Sequence, residues 1–109
     1  MIITRGDVWW VDFDPSIGGE IQKLRPAVVV SNDVSNKIMN RVQVIPVTSQ
    51  VDKCFPCEAY LTVKGKPGKA MADQLATVSK KRFKQRICVV SSQELFAIEQ
   101  IIKLQLQLS

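Results

Sequence analysis

Two side chains in this chain are placed where they could grip an anion. Arg25 stands at the mouth of an apolar run, Pro26 to Ser31, directly after a glycine-containing stretch, Ser16 to Leu24, that reads as an exposed loop. Thr48 closes a second apolar run, Val42 to Thr48, ahead of the polar Ser49 and Gln50. If the two runs are neighbouring strands, a planar guanidinium and a hydroxyl converge on one phosphate. The strand fixes the base of the arginine and the loop can close over a ligand. On these residues alone a plainer account is available: Arg25 pairs with a surface acid such as Glu20, and Thr48 merely ends a strand.

The other candidates are weaker. The chain has no histidine, so the commonest general base and the commonest metal ligand are both missing. Catalysis would have to use Arg, Lys, Thr, Ser, Tyr, Asp or Glu. Cys54-Phe55-Pro56-Cys57 is a C-x-x-C, but only Cys88 remains as a further thiol. A zinc site would need two more ligands, and a redox role would need a βαβ setting, so a chance spacing is the better reading. Gly18-Gly19 lacks the spacing of a phosphate loop or a dinucleotide fingerprint. Asp12 and Asp14 share a strand face, yet Asp14-Pro15 more simply ends that strand. No metal site is expected.

Charge narrows the class of partner. The chain of 109 residues carries a net charge of +5, and the excess is concentrated. Nine basic residues and two acidic ones lie between Lys53 and Arg86, whereas each flank is slightly acidic. Such a segment suits a polyanion, nucleic acid before a membrane surface, although a merely solvated face would look the same. The length fits one domain, residues 1–109. No apolar run is longer than that of Ala27 to Val30, which falls far short of the roughly 20 residues of a membrane span. With no secretory signal visible in the first residues, a cytoplasmic location is expected and no membrane partner.

The elements that must position these residues are mostly short strands. Val8 to Phe13 is aromatic and β-branched, Pro26 to Ser31 reads as a strand buried on both faces, and Val42 to Thr48 alternates. Ala59 to Val63, a strand near Lys69 to Ala72, and Ile87 to Val90 complete the set, with Lys64 to Gly68 as a turn. Ser79 caps a short basic helix through Phe83. Ser91 and Glu94 have capping-box spacing ahead of Leu95, Ile98, Ile101 and Ile102, an apolar stripe suited to packing on a sheet. The fold class expected is mainly β (α+β): a small antiparallel barrel closed by a C-terminal helix.

Several motifs in one order resemble the MazF/PemK-type toxins of prokaryotic toxin–antitoxin pairs. They are Gly6-Asp7-Val8-Trp9-Trp10-Val11-Asp12-Phe13-Asp14-Pro15, Gly19-Glu20, Arg25-Pro26-Ala27-Val28-Val29-Val30-Ser31, Asn32-Asp33, Val44-Ile45-Pro46-Val47-Thr48, Ala72-Asp73-Gln74-Leu75 and Ser79-Lys80-Lys81-Arg82-Phe83. The resemblance covers nearly the whole chain. It implies an SH3-like barrel of about five to seven strands, assembled as a homodimer, that cleaves single-stranded RNA at short sequences without metal or cofactor. It also implies that Arg25 and Thr48 are the catalytic pair, with the RNA 2′-hydroxyl as nucleophile and 2′,3′-cyclic phosphate and 5′-hydroxyl ends as products. Glu20 and Asp73 both occupy motif positions and are the candidates for the general acid or base. RNA contacts would fall to Gly19, Gln22, Ser49, Gln50, Lys53, Gln74 and Thr77, with the basic segment 80–86 tracking the backbone. A cognate antitoxin with an acidic disordered tail is implied as the second partner. One position departs from the pattern: Ala76 stands where many members carry a basic residue, which bears on substrate choice.

The rival of a different class is the CcdB type, which resembles the same fold but poisons DNA gyrase through a C-terminal Trp-Gly-Ile. This chain ends Leu106-Gln107-Leu108-Ser109. A barrel that binds nucleic acid or antitoxin without cutting is the second alternative.

Overall fold

β-Branched residues at alternate positions put a second apolar face on the central strands, and the fold buries both faces. The computed structural model describes residues 1–14 and 23–109. Seven strands form, β1 (Asp7–Asp12), β2 (Leu24–Val29), β3 (Arg41–Thr48), β4 (Glu58–Val63), β5 (Lys66–Met71), β6 (Ala76–Ser79) and β7 (Phe83–Val89). They run β4-β5-β3-β2-β1-β7, with β6 also paired to β3, and every pairing is antiparallel. A short helix α1 (Asp33–Ile38) follows β2, and a long helix α2 (Ser92–Leu106) ends the chain. The expected barrel with its closing helix is therefore what forms.

β3 is the hub. Its first half pairs with β6 and its last two residues with β5, while β2 bonds its other edge. Val42 and Val44 point into one apolar cluster with Trp9, Val11, Ala27, Val29, Val78 and Phe83, where Trp9 and Phe83 meet edge to face at 5.6 Å. Ile45 and Val47 point into the other cluster, with Val8, Val28, Leu61, Ala70 and the α2 residues Ile98 and Ile101. Strict alternation along one strand thus feeds two cores.

α2 is built as its sequence signals promise. The Ser91 hydroxyl accepts from Glu94 N–H at 3.1 Å, and the Glu94 carboxylate accepts from Ser91 N–H at 2.8 Å. The second Glu94 oxygen accepts from Thr62 N–H of β4 at 2.8 Å, so the cap also ties the helix to the sheet. At the other end Gln107 adopts φ 55°, the left-handed conformation that stops a helix.

Some boundaries differ from expectation. The segment after Ser79 is a single 3-10 turn, Lys80–Arg82, because β7 claims Phe83 for the core. β5 begins at Lys66, so the turn shrinks to Lys64 and Gly65, both at positive φ. β7 starts four residues before Ile87, and β6, α1 and a 3-10 turn over Ala72–Gln74 were not anticipated. The loop expected to run to Leu24 already yields to β2 there, and the rest of it, residues 15–22, lies outside the described residues. Among the described residues no helix is long and apolar enough to cross a membrane.

Ile98 is fully buried between α2 and the sheet. Ile98→Ala is expected to lower the unfolding free energy by about 2–5 kcal/mol, read from urea denaturation, with the slope of the transition unchanged.

Candidate functional site

The β2–β3 register decides where the two proposed reactive side chains meet. Ala27 faces Pro46 and Val28 faces Ile45, and the same register carried two residues further sets Arg25 opposite Thr48. Both are half-buried, and both line one cavity of about 560 Å³. Its walls come from Trp10 on β1, from Leu24 to Pro26 on β2, from Val47 to Ser49, from the β4–β5 turn and from Gln85 to Ile87 on β7. Four cationic side chains, Arg25, Lys64, Lys66 and Arg86, lie along these walls, and no carboxylate does among the described residues. A positive, half-enclosed pocket of this kind concentrates polyanions.

The Thr48 hydroxyl is oriented. Its oxygen accepts from Gln50 N–H at 3.2 Å, which leaves the hydroxyl hydrogen to be donated outward to a ligand oxygen. Across the sheet Thr48 pairs with Lys69. That lysine is almost fully buried and salt-bridged to Glu58 at 2.8 Å, with its ammonium also bonded to the Lys53 carbonyl and placed 5.5 Å from the Phe55 ring centre. The segment that leaves Thr48 is pinned back to β4 and β5 by this one cation. Gly68 allows the close approach of β5: a Cβ there would stand 2.8 Å from Val47 Cγ1 and 3.3 Å from the Thr48 carbonyl oxygen.

The sequence candidates divide clearly. Arg25, Thr48 and Ser49 come together in the pocket, and Gln50 contributes its backbone N–H to Thr48. Lys53 is exposed and meets the site only through its carbonyl. Asp73 sits on the 3-10 turn packed against α2, beside Cys57 and away from the pocket lining. Thr77 pairs with Gln43, five residues along β3 from Thr48, or roughly 16 Å at 3.3 Å per residue. Gln74 likewise does not line the pocket. Glu20, Gly19 and Gln22 lie outside the described residues.

Among the basic residues of 80–86, Arg82 has another duty. Its guanidinium bonds the carbonyls of Asp12 (3.0 Å) and Asp14, holding the end of β1. Asp12 and Asp14 serve the same chain end, accepting from Asp14 N–H and Lys23 N–H at 3.0 Å each. Cys54, Cys57 and Cys88 are free thiols, and burial, followed by the charges of Asp73 and Glu58, pushes the Cys57 thiol up from its ordinary 9.0. That shift disfavours the thiolate, the reactive form of the side chain.

Trp10, Lys64, Lys66 and Arg86 were missed as pocket residues. The tryptophan pair could have signalled one of them: alternation requires that Trp9 and Trp10 face opposite ways, so when one enters the core the other meets solvent.

Two outcomes follow. Gly68→Ala should cost about 1–3 kcal/mol by overpacking against Val47, and should weaken any activity that depends on Thr48, checked by urea unfolding beside the assay. The hydrogen bond to Glu58 raises the Lys69 pKa above its ordinary 10.5, so the stability it lends is complete below that value and is lost as pH rises through the folded value. Cys57, also raised, acts in the same direction from about 9. A Lys69→Met, Glu58→Gln double variant should show a shallower alkaline fall in urea midpoint than the wild type, since only the cysteine part remains.

Comparison with known proteins shows the family. Residues 4–106 match the family described as PemK-like, MazF-like toxins of type II toxin–antitoxin systems. The chain is 38% identical to endoribonuclease MazF9 of Mycobacterium tuberculosis, covering 98% of each chain. In structure it is similar to MazF of Deinococcus radiodurans, with a TM-score of 0.87 and 25% identity over 98% of both chains. A MazE–MazF crystal structure from the same organism matches with a TM-score of 0.82 and 25% identity, covering 100% of this chain and 99% of that one.

Proposed function

The chain belongs to the PemK-like, MazF-like toxin family of type II toxin–antitoxin systems, and we propose that it is the endoribonuclease of such a pair, cutting single-stranded RNA in the pocket shared by Arg25 and Thr48. The observation that carries this reading is the register that sets Arg25 opposite Thr48 in a cationic cavity. The name of its 38% identical relative, an endoribonuclease, supports it.

The chemistry suits a site without histidine. RNA brings its own nucleophile, the 2′-hydroxyl, so the protein needs only to align it, neutralise charge on the phosphorane and move two protons. Arg25 binds the scissile phosphate, stabilises the developing charge and helps protonate the leaving 5′-oxygen. Thr48 donates its free hydroxyl hydrogen to a phosphate oxygen. Of the two acids considered as base, Asp73 stands away from the pocket, and Glu20 is assigned the 2′-hydroxyl proton. The reaction needs no metal, and the products are a 2′,3′-cyclic phosphate and a 5′-hydroxyl.

Ser49 and Gln50 border the reactive pair and read the flanking bases through their edges. Thr77 is too far along β3 to reach the same nucleotides within one protomer and Gln74 does not line the pocket, so their share in RNA binding belongs to a homodimeric groove. The cationic pocket is also the surface an acidic antitoxin tail would cover. The work is cytoplasmic.

The purified protein in EDTA should cut a long single-stranded RNA at discrete places and leave the equivalent DNA intact, with 5′-hydroxyl ends by primer extension. Arg25→Ala and Thr48→Ala should each lower the rate by about 100-fold or more. Wild-type cleavage by the double variant, or no cleavage by the wild type, would overturn the assignment.

A further inference from the structure

We propose that Arg86 is a second phosphate-gripping residue of the pocket, holding a phosphate of the RNA strand other than the one between Arg25 and Thr48. The proposal deepens the ribonucleolytic reading and rests on it for the nature of the strand.

Arg86 lies on β7 and lines the same cavity as Arg25 and Thr48. Its Nε is 3.3 Å from Asp7 Oδ1, and the two partners are unequally placed: the Asp7 side chain is 4% exposed, that of Arg86 55%. Asp7 is itself held, because its Oδ2 accepts from Thr4 N–H at 2.9 Å and from the Trp9 indole N–H at 3.1 Å. Trp9 in turn is locked into the core against Phe83. The carboxylate is therefore a rigid buried anchor, and it takes the inner nitrogen of the guanidinium.

Anchoring through Nε leaves the outer edge of the guanidinium, between Nη1 and Nη2, outside the ion pair. Among the described residues neither nitrogen is bonded. Other arginines behave differently: Arg5 spends both outer nitrogens on the Val30 carbonyl and Glu99, and Arg82 spends one on two carbonyls. A fixed guanidinium with two free parallel N–H donors is the geometry that takes a phosphate bidentately.

The sheet also separates this cation from the first. β1 lies between β2 and β7, so the backbones bearing Arg25 and Arg86 are two strand spacings apart, about 9–10 Å. The pairing row differs as well, since Arg25 faces Val11 while Arg86 faces Trp9. Two guanidiniums so spread meet a strand at successive phosphates. Lys64 and Lys66 on the facing turn add diffuse charge to the same path.

The test uses a fluorescein-labelled single-stranded 2′-O-methyl RNA of mixed sequence, which keeps the phosphates but has no nucleophile. Binding to the full-length protein is followed by anisotropy over a range of salt. Arg86→Gln should make the slope of log K against log salt shallower by about 0.7, the value for one lost contact to a single strand. Arg25→Ala should do the same, and the double variant should lose the sum, about 1.4, as independent contacts require. Arg86→Lys, which keeps the charge, should restore the slope, and it serves if the glutamine variant folds poorly. An unchanged slope with a lowered melting temperature would reduce Arg86 to a counter-ion for Asp7. A double variant no worse than either single would put both arginines on one phosphate, and failure of the wild type to bind would also overturn the proposal. A wild type that binds this probe yet leaves ordinary RNA uncut would remove the ribonuclease reading while Arg86 kept its grip.

Discussion

The antiparallel bond between β2 and β3 is the contact on which everything else depends. It fixes a register in which two residues distant in sequence share the end of one ladder, and it does so from inside the core, where Ala27, Val28, Val29, Val44 and Ile45 are buried. A slip of one residue would turn Arg25 away from Thr48, but it would also exchange the contents of two apolar clusters. The hydrophobic effect thus holds a polar geometry to which it contributes no atom. Packing supplies the precision, and the two polar side chains inherit it.

Around that ladder charge is handled in two ways. Buried charges are paired and serve as anchors: Lys69 with Glu58, and Asp7 with the base of Arg86. Among the described residues no carboxylate lines the pocket, and of its four cations Arg86 alone is ion-paired, through Nε to Asp7, so most of their field is left to a ligand. The anchors stand immediately behind the pocket. Lys69 is across from Thr48, and Asp7 is held by the neighbour of Trp10, so the surface field is oriented from the interior.

Much of this was legible in the sequence because the strands obey period two and the helix carries its cap. Val42 to Thr48 alternates and becomes β3; Ser91 and Glu94 announce α2 to the residue. Arg25 and Thr48 stood out as a candidate pair only with the family motifs beside them, since a strand end looks the same with or without a ligand. What stayed hidden depends on partners far along the chain. β6 is four residues long and exists because β3 offers an edge, and nothing local marks it. Asp73 shares a motif with Gln74 but is carried by its 3-10 turn to the α2 side. Lys80, Lys81 and Arg82 look alike in charge, yet Arg82 alone is spent on the carbonyls that end β1. Composition reports how many cations there are; only the fold says which are free.

The sharing of β3 between two sheets has one more consequence. Thr48 is the last residue of the strand whose earlier residues fill both cores, and it pairs with Lys69 beside the buried pair Val47 and Ala70. Their amides are expected to exchange with solvent more slowly than those of the connecting loops, because they lie next to packed core residues. Loosening the strand that ends in Thr48 also disturbs the packing of the core residues before it. The direct way to control such a protein without unmaking its core is from outside, by occupying the cavity.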